Sequence, residues 1–453
     1  MGAVKTYAIG IGAVAVALVV AAAASAAAPV ELRESARVKP TTRVTVNLKA
    51  EGKYNPAGSP GTTQPAKPLA LRVESELVFI ERVMATDQAG RGGRSVRRVT
   101  RAASAVNGEV RSRSESLRAE VALLVAEVNA LGDVVVYSPL GPLTRSELEI
   151  VQGPGDPLSL GGLLPTGPVA VGARWKVGDA SARALSGYDV VSSNGLEATL
   201  ESADAARAKV WLRGELRGSA LGGEGTMACD GSFHFDRKGG LIDRLALDRA
   251  ETRRPGPVEG GLDIKSTLTV TRSHAEVPAE LAEATLDRVV LNPGAGREDL
   301  LLNALGRKYS LRHDRDWHTF WDDPRLTVLK RVEGGRTVAQ CNLAVGPKAG
   351  KGKHQDPSQF RDDVRKGLGS RFVQFLGSGD VEGDAAGGFR YKVGVQGRQG
   401  DLPVVWFYYL IAGPEGDQLL ATFTLAGAQA QAFGDRDESL IGTLHWLGAE
   451  GEK

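Results

Sequence analysis

Apolar and polar residues alternate along most of this chain, and the alternation divides it into strands. Val44, Val46 and Leu48 alternate with polar neighbours over 43–50, the period-two signature of a half-buried strand. Leu71, Val73, Leu77 and Phe79 share one parity in the next run, and 95–105, 117–128 and 134–137 continue the pattern. Further runs over 196–201, 208–216, 226–235, 241–251 and 262–271 are joined by short turns such as 236–240, which predicts antiparallel pairing. Residues 43–277 therefore read as one large, curved antiparallel sheet domain with a few helical pieces on one side. One piece starts at Thr144, where Glu147 completes a capping box ahead of Leu148 and Ile150. Another lies near Ala182, and both are too short to cover the whole sheet.

The pattern then changes period. Leu281, Leu286, Leu300, Leu301 and Leu305 recur at helical spacing around a break at Asn292-Pro293-Gly294, so 278–307 reads as a helical linker. Beyond it, 309–320, 326–332 and 337–345 read as strands. Asp356 and Pro357 supply an N-cap and a first helical residue, and Phe360, Val364, Leu368 and Phe372 follow every fourth position, which predicts an amphipathic helix. A three-strand meander over 389–396, 402–412 and 418–426 comes next, then a closing helix with Phe433, Leu440, Ile441 and Leu444. The proline- and glycine-rich stretch 51–68 reads as a loop.

Residues 308–448 resemble the PsbP-like superfamily. The resemblance rests on Tyr309-Ser310-Leu311 leading to Asp316-Trp317, the helix from Pro357, the meander, and the ending Leu444-His445-Trp446. It implies an α/β/α sandwich around an antiparallel sheet, giving an α+β chain overall. It also implies a binding or assembly role, because that superfamily includes extrinsic photosystem subunits, a Ran-binding nuclear import factor and exported bacterial proteins. The 43–277 domain is similar, at the level of fold alone, to the curved-sheet lipoprotein-carrier class of periplasmic proteins.

The N-terminus adds location. Lys5 precedes an uncharged, Ala- and Val-rich run over 6–24, and Ala24-Ser25-Ala26 follows as a small-x-small cleavage pattern. Residues 1–26 thus read as a signal peptide, with 27–42 a linker, and the protein is expected outside the cytoplasm, in the periplasm or beyond. The alternative is an uncleaved anchor, the sole membrane contact this reading allows.

Composition narrows the function. The 453 residues carry a net charge of only +2, so no global field favours nucleic acid. Aromatics make up 6%, too few for a stacking surface. The two cysteines, Cys229 and Cys341, each sit in an apolar parity of a strand and read as separately buried thiols. No nucleophile elbow, zinc-protease helix or Cys-x-x-Cys occurs. The loop 346–353 imitates a phosphate loop but lacks one spacer residue and has Gly352 where magnesium needs a hydroxyl. No cofactor is expected.

Two clusters remain. Asp314, Asp316 and His318 would share a face if they lay on a strand, which makes them a three-ligand metal candidate. Arg94, Arg97, Arg98 and Arg101 belong to an arginine-rich stretch from Arg91 to Arg118; strand parity pairs Arg97 with Arg101 and Arg94 with Arg98, and guanidinium groups suit anionic heads. The expected function is that of an exported, non-catalytic envelope protein. It would bind an apolar or amphipathic ligand, lipid or peptide, or an envelope protein. The alternative is a hydrolytic or metal-dependent enzyme with an unrecognised Asp/His site.

Overall fold

The computed structural model describes residues 28–34, 41–56, 67–87, 90–108, 113–381 and 388–447, and the predicted signal segment lies outside the described residues. Strand propensity dominates. The first part contains β1 (Thr41–Asn55), β2 (Leu69–Thr86), β3 (Gly92–Gly108), β4 (Arg113–Ser116), β5 (Leu123–Val128), β6 (Val134–Tyr137) and β7 (Leu143–Thr144). Three helices interrupt it: α1 (Arg145–Val151), α2 (Pro157–Leu160) and, after β8 (Arg174–Lys176), α3 (Asp179–Ser186). Then come β9 (Val190–Asn194), β10 (Glu197–Ala203), β11 (Arg207–Ala220), β12 (Gly223–Asp236), β13 (Leu241–Arg253) and β14 (Gly261–His274).

Most of these strands join one 13-stranded sheet in the order β6-β5-β3-β2-β1-β14-β13-β12-β11-β10-β8, with β4 and β9 attached to β3 and β11. Every pairing within it is antiparallel. Bulges add local twist, one of them between β2 and β3 and another between β12 and β13. The sheet curls so that its inward side chains, among them Leu77, Phe79, Leu212, Phe233, Leu247 and Val270, share a single core with α1, α2 and α3. Those helices are fixed by local chemistry. Thr144 and Glu147 form the predicted capping box on α1, and Asp156 caps α2 ahead of Pro157. Glu147 is held further by Arg118 at 2.7 Å.

The stretch 278–307 departs from the helical reading. Only a 3-10 turn, Ala279–Leu281, and α4 (Glu283–Leu286) form there. Leu281 and Leu286 cover the outer face of the sheet against Val96, Leu123 and Val125. The leucines at 300–302 enter a strand, β15 (Leu300–Ala304), because their backbone pairs with 309–313 on one side and with β7 on the other.

The second part adds β16 (Tyr309–His313), β17 (Trp317–Asp322), β18 (Leu326–Glu333), β19 (Arg336–Val345), α5 (Pro357–Leu368), β20 (Phe372–Asp380), β21 (Phe389–Gln399), β22 (Leu402–Ala412), β23 (Gln418–Ala426), α6 (Ala430–Phe433), α7 (Arg436–Gly442) and β24 (His445–Trp446). Strands β17-β18-β19-β23-β22-β21-β20 form an antiparallel sheet. Phe360, Val364 and Leu368 of α5 pack with Val393, Trp406 and Leu410, while α6 and α7 pack with Tyr409, Phe423 and Cys341 of the opposite parity. Phe372 leaves the helix for β20, since Gly369 at φ +55° ends α5 first. The closing helix likewise breaks at Gly434, φ +61°.

The two parts share a small sheet, β24-β16-β15-β7, in which β15 runs parallel to β7 of the first part. Arg145 donates to the carbonyls of Arg315 and Trp317 at 2.6 and 3.0 Å, and Arg315 donates to Gln152 and to the Val136 carbonyl at 2.8 and 2.5 Å. Among the described residues no helix is long and apolar enough to cross a membrane.

Candidate functional site

The arginine cluster does not form a surface. In the β2–β3 ladder Val78 faces Arg101 but Phe79 faces Val99, so Thr100 is the extra residue of a bulge. One added residue reverses the parity beyond it. Arg97 therefore points into the core with Phe79 and Glu81, while Arg101 points to solvent and pairs with Glu76. The shared face predicted for Arg97 and Arg101 is thus split.

Arg97 is 1% exposed and grips Asp156 through two hydrogen bonds of 2.6 and 2.7 Å, with Glu81 3.5 Å away. Arg272 extends the cluster, 2.6 Å from Glu34 and 4.0 Å from Glu81. Burial raises the Glu81 carboxyl above the usual range, opposed by the charges of Arg97 and Arg272. This network clamps the N-terminus of α2 to the inner face of the sheet. Arg94 reaches the Leu291 carbonyl at 3.2 Å and Glu127 at 3.5 Å; Arg98 reaches the Val99 carbonyl and Glu280. Each of the four arginines already has a carboxylate partner, buried for Arg97 and at the surface for Arg98 and Arg101, and they do not share one face.

The metal candidate dissolves in a similar way. The chain turns at 314–316 before β17 begins at Trp317, so Asp314, Asp316 and His318 do not share a strand face. Asp314 and Asp316 instead hold Arg331 at 2.6 and 2.8 Å. Burial lowers His318 to about 4. Among the described residues no three His, Cys, Asp or Glu side chains come together in a metal-holding group. Trp317 is a core residue, edge-on to Phe423 at 6.0 Å. Both cysteines are free and buried, and desolvation raises the Cys229 thiol to about 11, which leaves it unreactive.

A different feature of the first part has the shape of a binding site. Between α1, the segment leading to α2, and the inner faces of β1, β2 and β3 lies a cleft of about 270 Å³. Val46, Leu48, Leu77, Val106, Ile150 and Val151 supply most of its lining, and Glu115, Glu149 and Asp156 border it. Val73 also lines a second, wider hollow of about 950 Å³. The second hollow has a simple cause in sequence. Cross-strand pairing places Val106, Val73, Ala50, Ser266, Arg249, Cys229 and Gly214 in one inward row across seven strands. The next row carries Leu48, Leu268, Leu247 and Leu212 at the corresponding places. On β1, β14 and β11, where Leu48, Leu268 and Leu212 give way to Ala50, Ser266 and Gly214, the wall recedes. Gly214 cannot be enlarged, because a Cβ there would lie 2.1 Å from the Gly195 carbonyl oxygen.

Arg249 stands in this receding row. It is 7% exposed, donates from Nε to Ser266 Oγ at 3.1 Å and from Nη1 to the Leu185 carbonyl at 2.7 Å. Leu185 belongs to the last turn of α3, whose free carbonyls attract cations. The signal for Arg249 was present in sequence: Leu245 and Leu247 set an apolar parity that Arg249 breaks.

No protein-family model matches this chain, and no curated protein does. Several solved structures align with this chain at low similarity. A protein from Bacteroides thetaiotaomicron is 12% identical over 34% of this chain and 50% of its own, with a TM-score of 0.25. Lipovitellin, in a structure of its lipid–protein interactions, is 10% identical over 57% of this chain and 27% of its own, TM-score 0.31. OccK5 (OpdH) of Pseudomonas aeruginosa is 10% identical over 85% and 96%, TM-score 0.12. The chain spans half of the first of these and about a quarter of the second. At such scores none of them bears on the function, which rests on the site itself.

Proposed function

We propose that this chain is an exported, non-catalytic binding protein that takes an apolar or amphipathic ligand in the concave face of its large sheet. The observation that carries the reading is the pair of adjoining hollows on the concave face, an apolar-lined cleft beneath α1 along β1 and β2 and a wider one at the row of small residues, with Val73 common to both. The cleft of about 270 Å³ offers room for an alkyl chain, and the wider hollow of about 950 Å³ lies within the usual size of small-molecule sites. The helices near α1 and α3 fill only part of the concavity, as their lengths imply. Lys5, the uncharged run and Ala24-Ser25-Ala26 support export.

The second unit we read as an α/β/α sandwich of the PsbP-like kind. That reading is supported by α5 on one face of the β17–β23 sheet and α6 with α7 on the other. In this account it serves assembly, fixed to the ligand domain through β15 and Arg315.

The test is a titration with N-phenyl-1-naphthylamine, an uncharged fluorescent probe of apolar sites. One saturable site is expected. Ser75 lines the cleft between Leu48 and Ser104, and Ser75→Trp fills it, so the variant should bind about tenfold more weakly or worse while melting as the parent does. Absence of saturable binding, or equal binding by the variant, overturns the proposal.

A further inference from the structure

The charged groups around the wider hollow are not equivalent. Arg72 with Glu74 and Arg213 with Asp230 flank its inward row at the opposite parity, are solvent-exposed, and pair with each other at 2.9 and 3.1 Å. On its floor, Arg249 has no carboxylate within 4.0 Å among the described residues. The nearest acid along its own strand face, Glu251, leans to Arg253 at 3.7 Å. The hydrogen bonds of Arg249 to a hydroxyl and a carbonyl occupy Nε and Nη1; no hydrogen bond from Nη2 to protein is present among the described residues. Burial works against its charged form, and the charge of Glu251, which makes no contact ion pair with it, offsets this only in part.

The contrast with the rest of the molecule is direct. Arg97 and Arg272 are also buried, and each faces at least one carboxylate. A buried charge left alone is costly, and proteins rarely keep one without a partner. Here the open side of the guanidinium faces a cavity, and Val73, at the far side of that cavity, also lines the apolar cleft.

We infer that the ligand is a single-chain amphiphile with a monoanionic head, a long-chain carboxylate, whose head meets Arg249 while its chain lies along β1 and β2 beneath α1. This rests on the ligand-binding reading and adds the charge of the head. One guanidinium balances one negative charge, and Glu251 on the same strand face opposes a second. The apolar lining of the cleft, from Val73 to Leu77 and Ile150, matches an alkyl chain. A charge-assisted contact made in a desolvated site gives both affinity and orientation.

The test compares oleate with monoolein, which carries the same chain on an uncharged head, as competitors for bound N-phenyl-1-naphthylamine at mildly alkaline pH. Oleate is expected to displace the probe at a concentration about tenfold lower than monoolein. Arg249→Gln should abolish that preference and leave monoolein unchanged. Ser266→Asp is the second variant: it sets a carboxylate cross-strand from Arg249 and should abolish the preference even if Arg249→Gln fails to fold. Sodium acetate should not displace the probe, because the head alone lacks the chain's contribution. Equal competition by the two lipids in the parent protein, or an oleate preference that survives in the folded variants, overturns the inference while leaving the ligand-binding reading intact. If the probe and both lipids fail to bind the parent protein, the ligand-binding reading itself falls, and the inference with it.

Discussion

Arg97→Ala is expected to lower stability by about 3–5 kcal/mol, the range for breaking a buried ion pair from one side. The arginine is 1% exposed and serves two carboxylates at once, Asp156 and Glu81. Without it, Asp156 remains buried with its charge uncompensated, and it is also the cap of α2. Glu81 loses the larger of the two charges that oppose its desolvation, leaving Arg272 alone to do so. The α2 segment should then loosen from the sheet at the edge of the ligand cleft. Arg101→Ala is the control. Its partner Glu76 is partly exposed and the arginine is mostly in water, so the change should stay within about 0.5 kcal/mol. Urea unfolding of the three proteins measures both values. Equal and small losses for the two variants would contradict the inward placement of Arg97.

Removing residues before 308 is expected to abolish cooperative folding of the second part, whereas a fragment starting at 298 should fold. The reason lies in β15 and the turn after it. Ala304 and Leu305 are fully buried in the core formed by Tyr309, Trp317 and Phe423. Strand β15 supplies the hydrogen-bonding partner for the whole of β16. Leu305 adopts φ +54° and Arg307 φ +66°, conformations that cost an L-residue about 1–2 kcal/mol and persist only where packing enforces them. Losing one buried leucine costs about 2–5 kcal/mol by itself. Losing it together with a strand exceeds the margin of a domain this size. The longer fragment still lacks β7 and Arg145, so its melt should be cooperative but lower than that of the intact chain. Thermal unfolding followed by far-ultraviolet circular dichroism distinguishes the two, and a cooperative melt for the 308 fragment would contradict the assignment of β15 to this core.

Much of the strand layout was legible because period-two alternation in an antiparallel sheet is strong and local. β22 and β23 occupy the very residues that alternation marked, 402–412 and 418–426. The helix starts at Thr144 and Asp356 were legible for the same reason, since capping is written in adjacent residues. What failed was whatever depended on a single extra residue or a distant partner. The bulge at Thr100 leaves no mark in composition, yet it decides that Arg97 is core and Arg101 is surface. The leucines at 300–305 fit a helix by spacing, and only pairing with β16 and β7 makes them a strand. Asp314 and Asp316 looked free to bind a metal until Arg331 arrived from β18. Arg249 was the informative miss. Its place in an apolar parity was visible, but the small residues in its row come from four other strands, and only the sheet register aligns them.

The most direct measurement of the account is where a bound chain touches the protein. Monoolein carrying a diazirine on its acyl chain, bound to the intact protein and illuminated, labels whatever lies beside the chain, and digestion with mass spectrometry locates the adducts. Saturable labelling confined to 46–50 of β1, 73–79 of β2 and 146–154 around α1 is the result expected, suppressed by excess unlabelled monoolein and by Ser75→Trp. Labelling spread over the exposed apolar residues of the second part, such as Val373 and Leu376 on β20, with none in the concave face, would contradict it.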